Sequence, residues 1–345
     1  DDNILKSEAD ATTEKNIAVY KTGSDITDIR YEGYRFKDAR TAETVGGETW
    51  GGRSRVGNST TGNVITVSSG THTDVYGGWT RGASSQTATA DKGNSTHNKV
   101  TVNGSAAVSG NVYGGMTIVV GGKASHNEVT INGGTLGSGD VYGGSTDDGP
   151  SADNNKVYLN GIRTPGTVYG GSAGFGTANG NEVHLNGATV TGAVVGGSGI
   201  STSKNKVYLN GATVTRSVYG GTGGTANDNE VHLNGATVTG DVYGGAVNGT
   251  GNLLSVKGVN SAGQIAGFQK LHFDATGVAA GETMLNLNGG AGTTFERDAI
   301  DATGSTVSGG ISLLHNANGI TVNGLAADDN ILKSEADATT EKNIA

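Results

Sequence analysis

A body of seventeen letters recurs along this chain almost intact: NEVHLNGATVTGAVVGG at 181–197, NKVYLNGATVTRSVYGG at 205–221 and NEVHLNGATVTGDVYGG at 229–245. A repeat of this length marks one small supersecondary unit stacked on copies of itself. Earlier copies begin at Asn98, Asn127 and Asn155, with a degenerate one at Asn63. The VYGG tails start at Val75, Val112, Val141, Val168, Val218 and Val242, with VVGG at Val194. Tail-to-tail spacing falls from 37 to 24 residues while the distance from asparagine to tail stays at 12 to 14. Constant bodies joined by variable connectors behave as strands and loops of a solenoid.

Each body reads as two strands. Val183 and Leu185 alternate with Glu182 and His184, the period of a half-buried strand. Val238 alternates with Thr237 and Thr239 and leads to a second apolar pair, Val242 and Tyr243. The Asn-Gly pairs at Asn160, Asn186, Asn210 and Asn234 supply a positive-φ corner, and the Gly-Gly after tyrosine reads as the end of the second strand.

Asn-Gly between alternating runs is also a hairpin signal, so an antiparallel meander competes with a parallel coil. The second body position decides between them. It runs Lys99, Glu128, Lys156, Glu182, Lys206, Glu230, changing sign at every copy. Parallel in-register strands bring equivalent positions within about 4.8 Å, where like charges repel and alternating ones form an ion-pair ladder. The fourth position alternates too, as Tyr158, His184, Tyr208, His232. A meander gives such alternation no purpose. The expected fold is all-β, a parallel β-solenoid of stacked coils of about 24 residues.

Composition agrees. Glycine supplies 62 of 345 residues, against 5 phenylalanines, 2 tryptophans and 2 prolines, too few large apolar side chains for a wide core. Glycine at every third position, as collagen needs, is absent. The recurrent Val, Leu and Ile runs are not the depletion of a disordered chain. A net charge of −9 without a basic stripe excludes nucleic acid as a partner. No apolar run is long enough to span a bilayer and no signal-peptide pattern is present; the abrupt start at Asp1 reads as a processed or excised segment. The absence of cysteine excludes disulfides and thiolate metal sites and suits export.

A longer repeat frames the short one. DDNILKSEADATTEKNIA at 1–18 returns unchanged at 328–345, an offset of 327 residues. Three accounts fit: one unit of a tandem array with the start of the next, a segment standing in for a neighbouring subunit's strand or cap, or a duplication introduced by cloning. The first two make the chain a link in something longer. They place an assembly junction at Ile4, Leu5 and Ile17, and again at Ile331, Leu332 and Ile344, packing onto an adjoining solenoid end. Such a contact is heterologous and generates filaments. Between the two copies, 19–62 read as irregular leading coils, 63–245 as the regular VYGG coils and 246–327 as divergent coils, with no linker between them.

The N-[KE]-V-x-[LIV]-N-G bodies, the VYGG tails and the later segment IAGFQKLHF at 265–273 resemble the passenger region of bacterial autotransporter adhesins. The likeness covers most of 45–325. It implies a right-handed parallel β-helix, display on the bacterial surface or secretion, and adhesion. The C-terminal barrel of that family has no counterpart here, so the resemblance does not extend to outer-membrane anchoring.

Site chemistry is sparse. The histidines at 72, 97, 126, 184, 232, 272 and 315 are scattered, and no HExxH, GxSxG or Walker sequence occurs. Asp147, Asp148 and Asp153 share one loop, the one place where calcium is a fair question; an ordinary polar loop is the favoured reading and no cofactor is expected. Glu182 and Glu230, matched to lysines, are poorly tuned as general acids, and Asp140 and Asp241 recur before VYGG but give way to Ala193 and Ser217 between. The chain is therefore read as no enzyme. Its reading is a structural and adhesive repeat unit stacking head to tail, with itself as partner and host or neighbour-cell glycans or proteins as targets. The alternatives are a polysaccharide-binding or polysaccharide-degrading β-helix and an ice-binding solenoid, the last resting on Thr189/Thr191, Thr213/Thr215 and Thr237/Thr239. Connectors shorten along the chain from the 19 residues of 79–97, so ligand contact is expected in the early loops, with Trp79 and Arg81 as anchors.

Overall fold

The computed structural model describes residues 47–54, 57–82, 93–245, 249–302 and 310–324 with their side chains, and only backbone strands within 4–45 and 332–344. It is all-β, a parallel solenoid of about ten turns averaging about 26 residues. One regular coil shows how the sequence builds it. Glu182–Asn186 forms the first face, Thr189–Val190 a short second face and Val194–Ser198 a third, with Ser201–Ser203 closing the connector. Each strand pairs in parallel with its equivalent one coil away: Lys156, Glu182, Lys206 and Glu230 are consecutive register partners on the first face. That face is a sheet of 11 strands and the third face one of 10.

The body thus carries three principal strands where the sequence suggested two. Thr237–Val238 and Val242–Tyr243 are separate strands on different faces. Val238 and Val242 both point into the core, at 2% and 0% exposure. A straight strand would also aim position 240 inward between them; the chain bends there instead, and glycine lets Gly240 pass close to the backbone of Arg216 and Ser217.

A second correction concerns the Gly-Gly pairs, which end the strand only at Val242–Tyr243 and not in the six earlier tails. Val168–Ala173, Val141–Thr146 and Val112–Thr117 run straight through them. The glycines serve close approach: a Cβ on Gly171 would stand 2.6 Å from Nδ2 of Asn181. Left-handed backbone appears at the Asn-Gly corner, where Gly187 has φ +62°. It appears also at the residue before each body asparagine, including His97, His126, Asn154, Lys204 and Asp228 at φ between 51° and 60°.

Val183, Leu185, Val190 and Val194 are all fully buried, and their equivalents continue above and below as one narrow core. In the divergent coils Leu254, Phe273, Met284 and Leu285 keep that column filled. Burying a Val or Leu side chain contributes roughly 1.5–3 kcal/mol, so stability accrues coil by coil.

Candidate functional site

The least expected feature lies inside the wall. The first residue of every body, Asn63, Asn98, Asn127, Asn155, Asn181, Asn205, Asn229 and Asn252, is at most 1% exposed. From Asn63 to Asn229 each Nδ2 donates to Oδ1 of the next asparagine, at 2.7 to 3.2 Å. That same Oδ1 accepts the backbone N–H of the asparagine before it, as Asn205 Oδ1 does from Asn181. Most second amide hydrogens go to a connector carbonyl, as from Asn205 to Ala178 at 2.8 Å. Gln269 Oε1 closes one end on the Asn252 amide. At the other, Asn63 Oδ1 is buried without a partner. The recurring asparagine was visible in the repeat, but sequence reading took it only as the first letter of each body.

On the outer side of the first face the charged column resolves into discrete pairs. Lys99 reaches Glu128 at 2.8 Å, Lys156 reaches Glu182 at 3.3 Å and Lys206 reaches Glu230 at 3.0 Å. Among the described residues the intervening contacts, Glu128 to Lys156 and Glu182 to Lys206, do not close to ion-pair distance. Glu182 and Glu230 turn instead to His184 (3.1 Å) and His232 (2.8 Å) on their own strands. Beside these pairs the rings of Tyr158, His184, Tyr208 and His232 stack face to face at 4.5 to 4.7 Å. On the third face Tyr76, Tyr113, Tyr142 and Tyr169 stack at 4.9 to 5.0 Å, and Val195 interrupts the column before Tyr219 and Tyr243.

These surroundings shift the ionisable groups. Burial pushes the Tyr113 phenol up to about 12, with Asp74 adding to the effect. Burial also opposes ionisation of Glu182 and Glu230, but hydrogen bonds from the neighbouring histidine and lysine outweigh it and hold both carboxyls below 4.5. His232 moves down from 6.5 because burial disfavours the imidazolium more than Glu230 favours it; Lys206 and His184 add to the lowering. His126, stacked on His97 at 4.9 Å, moves down through burial and that neighbour.

A pH dependence with a definite sign follows. A histidine lowered in the fold is stabilising in its neutral form, so its contribution is complete above 6.5 and is lost as pH falls from there through the depressed folded value. The two carboxyls add a second loss as pH falls from 4.5 through their lowered values. The thermal midpoint should decline in these two stages. The first should be smaller in His232→Phe, which keeps a stacking ring; an unchanged first stage would remove His232 from the account.

The carboxylates weighed as catalytic groups have structural partners. Asp140 accepts the Thr167 N–H at 2.7 Å and the Tyr142 hydroxyl at 3.1 Å, and Asp241 accepts the Tyr243 hydroxyl at 2.9 Å. Asp153 accepts the Asn179 N–H at 2.7 Å, and the Asp148 carbonyl accepts from Gly121. No group of three or more His, Asp or Glu able to hold a metal occurs among the described residues, Asp147, Asp148 and Asp153 included.

Trp79 lies in the strand Val75–Thr80, in register with Met116 and Arg53, and not in a connector. The strand runs on through Gly-Gly and carries it there. The Arg53 guanidinium stands 5.3 Å from its ring. Arg81 is exposed just past the strand, and 83–92 lie outside the described residues. Among the described residues the two most exposed large apolar side chains lie on later and shorter connectors, Phe175 at 74% and Ile200 at 58%. The only sequence sign of Phe175 is an aromatic residue within a glycine-rich stretch, SAGFGTAN. On the short face Thr189, Thr213 and Thr237 are in register, flanked by Arg163 and Ser261. The side chains of Ile4, Leu5, Ile17, Leu332 and Ile344, and Ile331 altogether, lie outside the described residues.

Fold and columns together define a class: a parallel β-solenoid whose walls are ladders of like side chains. Comparison with protein-family models, curated proteins and solved structures found no match to the chain.

Proposed function

We propose that this chain is a structural and adhesive repeat unit of a bacterial surface or secreted fibre, passenger-like in design and stacking head to tail outside the cell. The observation that carries the reading is the backbone of the duplicated segment. Ile4–Asp10 pairs antiparallel with Thr13–Thr22, and Leu332–Glu335 pairs antiparallel with Glu341–Ile344. The registers are the same: Leu5 opposite Ile17 and Glu8 opposite Glu14 in one, Leu332 opposite Ile344 and Glu335 opposite Glu341 in the other. Antiparallel pairs of the same register, longer in the first copy than in the second, thus flank the parallel stack along the chain. The ends of a solenoid are open strand edges, and a repeated element there supports continuation into a further unit.

Electron microscopy and sedimentation of the whole chain and of a form lacking residues 1–18 test the reading. End-to-end filaments from the whole chain, shortened or lost on deletion while the solenoid stays folded, are expected. Filaments that persist after deletion, or a strictly monomeric parent, would overturn it. A second reading, polysaccharide binding, draws on the Tyr158–His184–Tyr208–His232 stack, since partly exposed rings offer a sugar-stacking face. Quenching of tyrosine fluorescence by a glycan, lost in Tyr208→Ala, would favour it.

A further inference from the structure

The Asn-Gly corners are chemically the most labile peptide units of the chain, because a glycine amide nitrogen is unhindered and can attack the preceding asparagine side chain. The fold treats them unequally. The amides of Gly161, Gly187 and Gly211 each donate to a carbonyl of the next coil at 2.8 Å. In these coils the first-face strand runs through the asparagine, as in Lys156–Asn160. In the two coils before them the strand stops one residue short, at Val102 and at Ile131. There the amides of Gly104 and Gly133 have no acceptor among the described residues, and neither has that of Gly134, although the amides of Asn103, Ser105, Asn132 and Thr135 around them are bonded. At the second of these corners the positive φ has moved on to Gly134.

A second observation singles out Asn132. The outer corner carries its own asparagine ladder: Nδ2 of Asn160 donates to Oδ1 of Asn132 at 2.6 Å, Asn186 donates to Asn160, and Asn210 donates to Asn186. Asn132 is exposed and only accepts. A carboxylate at this position keeps its bond from Asn160. At Asn160 or Asn186 a carboxylate would lose a donor and face the oxygen below it.

We propose that Asn132 is a site of spontaneous deamidation in the folded protein, with Asn103 the second open corner and Asn160, Asn186 and Asn210 protected by the stack. The Gly133 nitrogen, deprotonated by hydroxide, bonds to Cγ of Asn132; the Cγ–Nδ2 bond breaks and ammonia leaves. Water then opens the cyclic imide at either carbonyl, giving aspartate or isoaspartate. No oxidant or cofactor enters. The molecule gains one negative charge at a corner whose ladder contact accommodates the aspartate product.

Peptide mapping by mass spectrometry after incubation in mildly alkaline buffer tests this, with the urea-unfolded chain as reference. In the folded chain Asn132 should convert at least about tenfold faster than Asn160, Asn186 or Asn210, roughly the factor that one backbone hydrogen bond imposes on opening. Unfolding should bring all the corners together. Asn132→Asp should leave the thermal midpoint unchanged, whereas Asn186→Asp should lower it. Conversion of Asn186 as fast as Asn132 in the folded chain, or an Asn132 that stays intact while the unfolded chain converts, would overturn the proposal.

Discussion

Asn205→Ala is expected to destabilise the solenoid by about 3–5 kcal/mol, although it removes no apolar contact of the core. Asn205 Oδ1 accepts both the backbone N–H and the Nδ2 of Asn181, at 2.9 and 3.0 Å, and its own Nδ2 donates to Asn229 and to Ala178. Truncation strands two donors and one carbonyl where the residue is fully buried. Each orphan costs roughly 1–3 kcal/mol, more than the net gain from one intact bond. Because the stack is quasi-one-dimensional, the damage is also local: the coils on either side lose their coupling. Urea unfolding should shift to lower denaturant and separate into two transitions. Lys206→Ala, at the next position but on the outer surface, should cost no more than about 1 kcal/mol. A normal single transition in Asn205→Ala would mean that the ladder does not hold the coils together.

Gly171→Ala should cost about 3 kcal/mol, at the upper end of what overpacking by a single carbon does. The added Cβ would stand 2.6 Å from Nδ2 of Asn181 and closer still to the carbonyl of Ala152, so backbone and ladder both have to move. Gly187→Ala is the informative comparison. Nothing lies within 4 Å of a Cβ there, but φ is +62°, so the substitution carries only the left-handed penalty of about 1–2 kcal/mol. The two variants separate glycine needed for room from glycine needed for backbone sign. Equal losses in thermal midpoint would refute that distinction.

What the sequence determined by itself is periodic. The Lys/Glu and Tyr/His alternations demand that equivalent residues be neighbours, which only parallel in-register stacking provides, and Val183, Leu185 and Val190 announce the inward side by their period of two. Each is a relation between one residue and its copy in the next coil, and a repeat displays that relation directly. The tertiary structure decided what lies between different parts of the same coil. Gly171 faces Asn181 across the wall, a contact with no periodic signature, so a glycine that makes room for a ladder looked like one that ends a strand. The bend between Val238 and Val242 was hidden for the same reason, since both alternate correctly with their neighbours whether or not the chain turns. Trp79 belonged to the strand once the glycines did. Stacking distance is a property of the repeat, whereas the inward reach of a buried asparagine depends on how three faces close on one another.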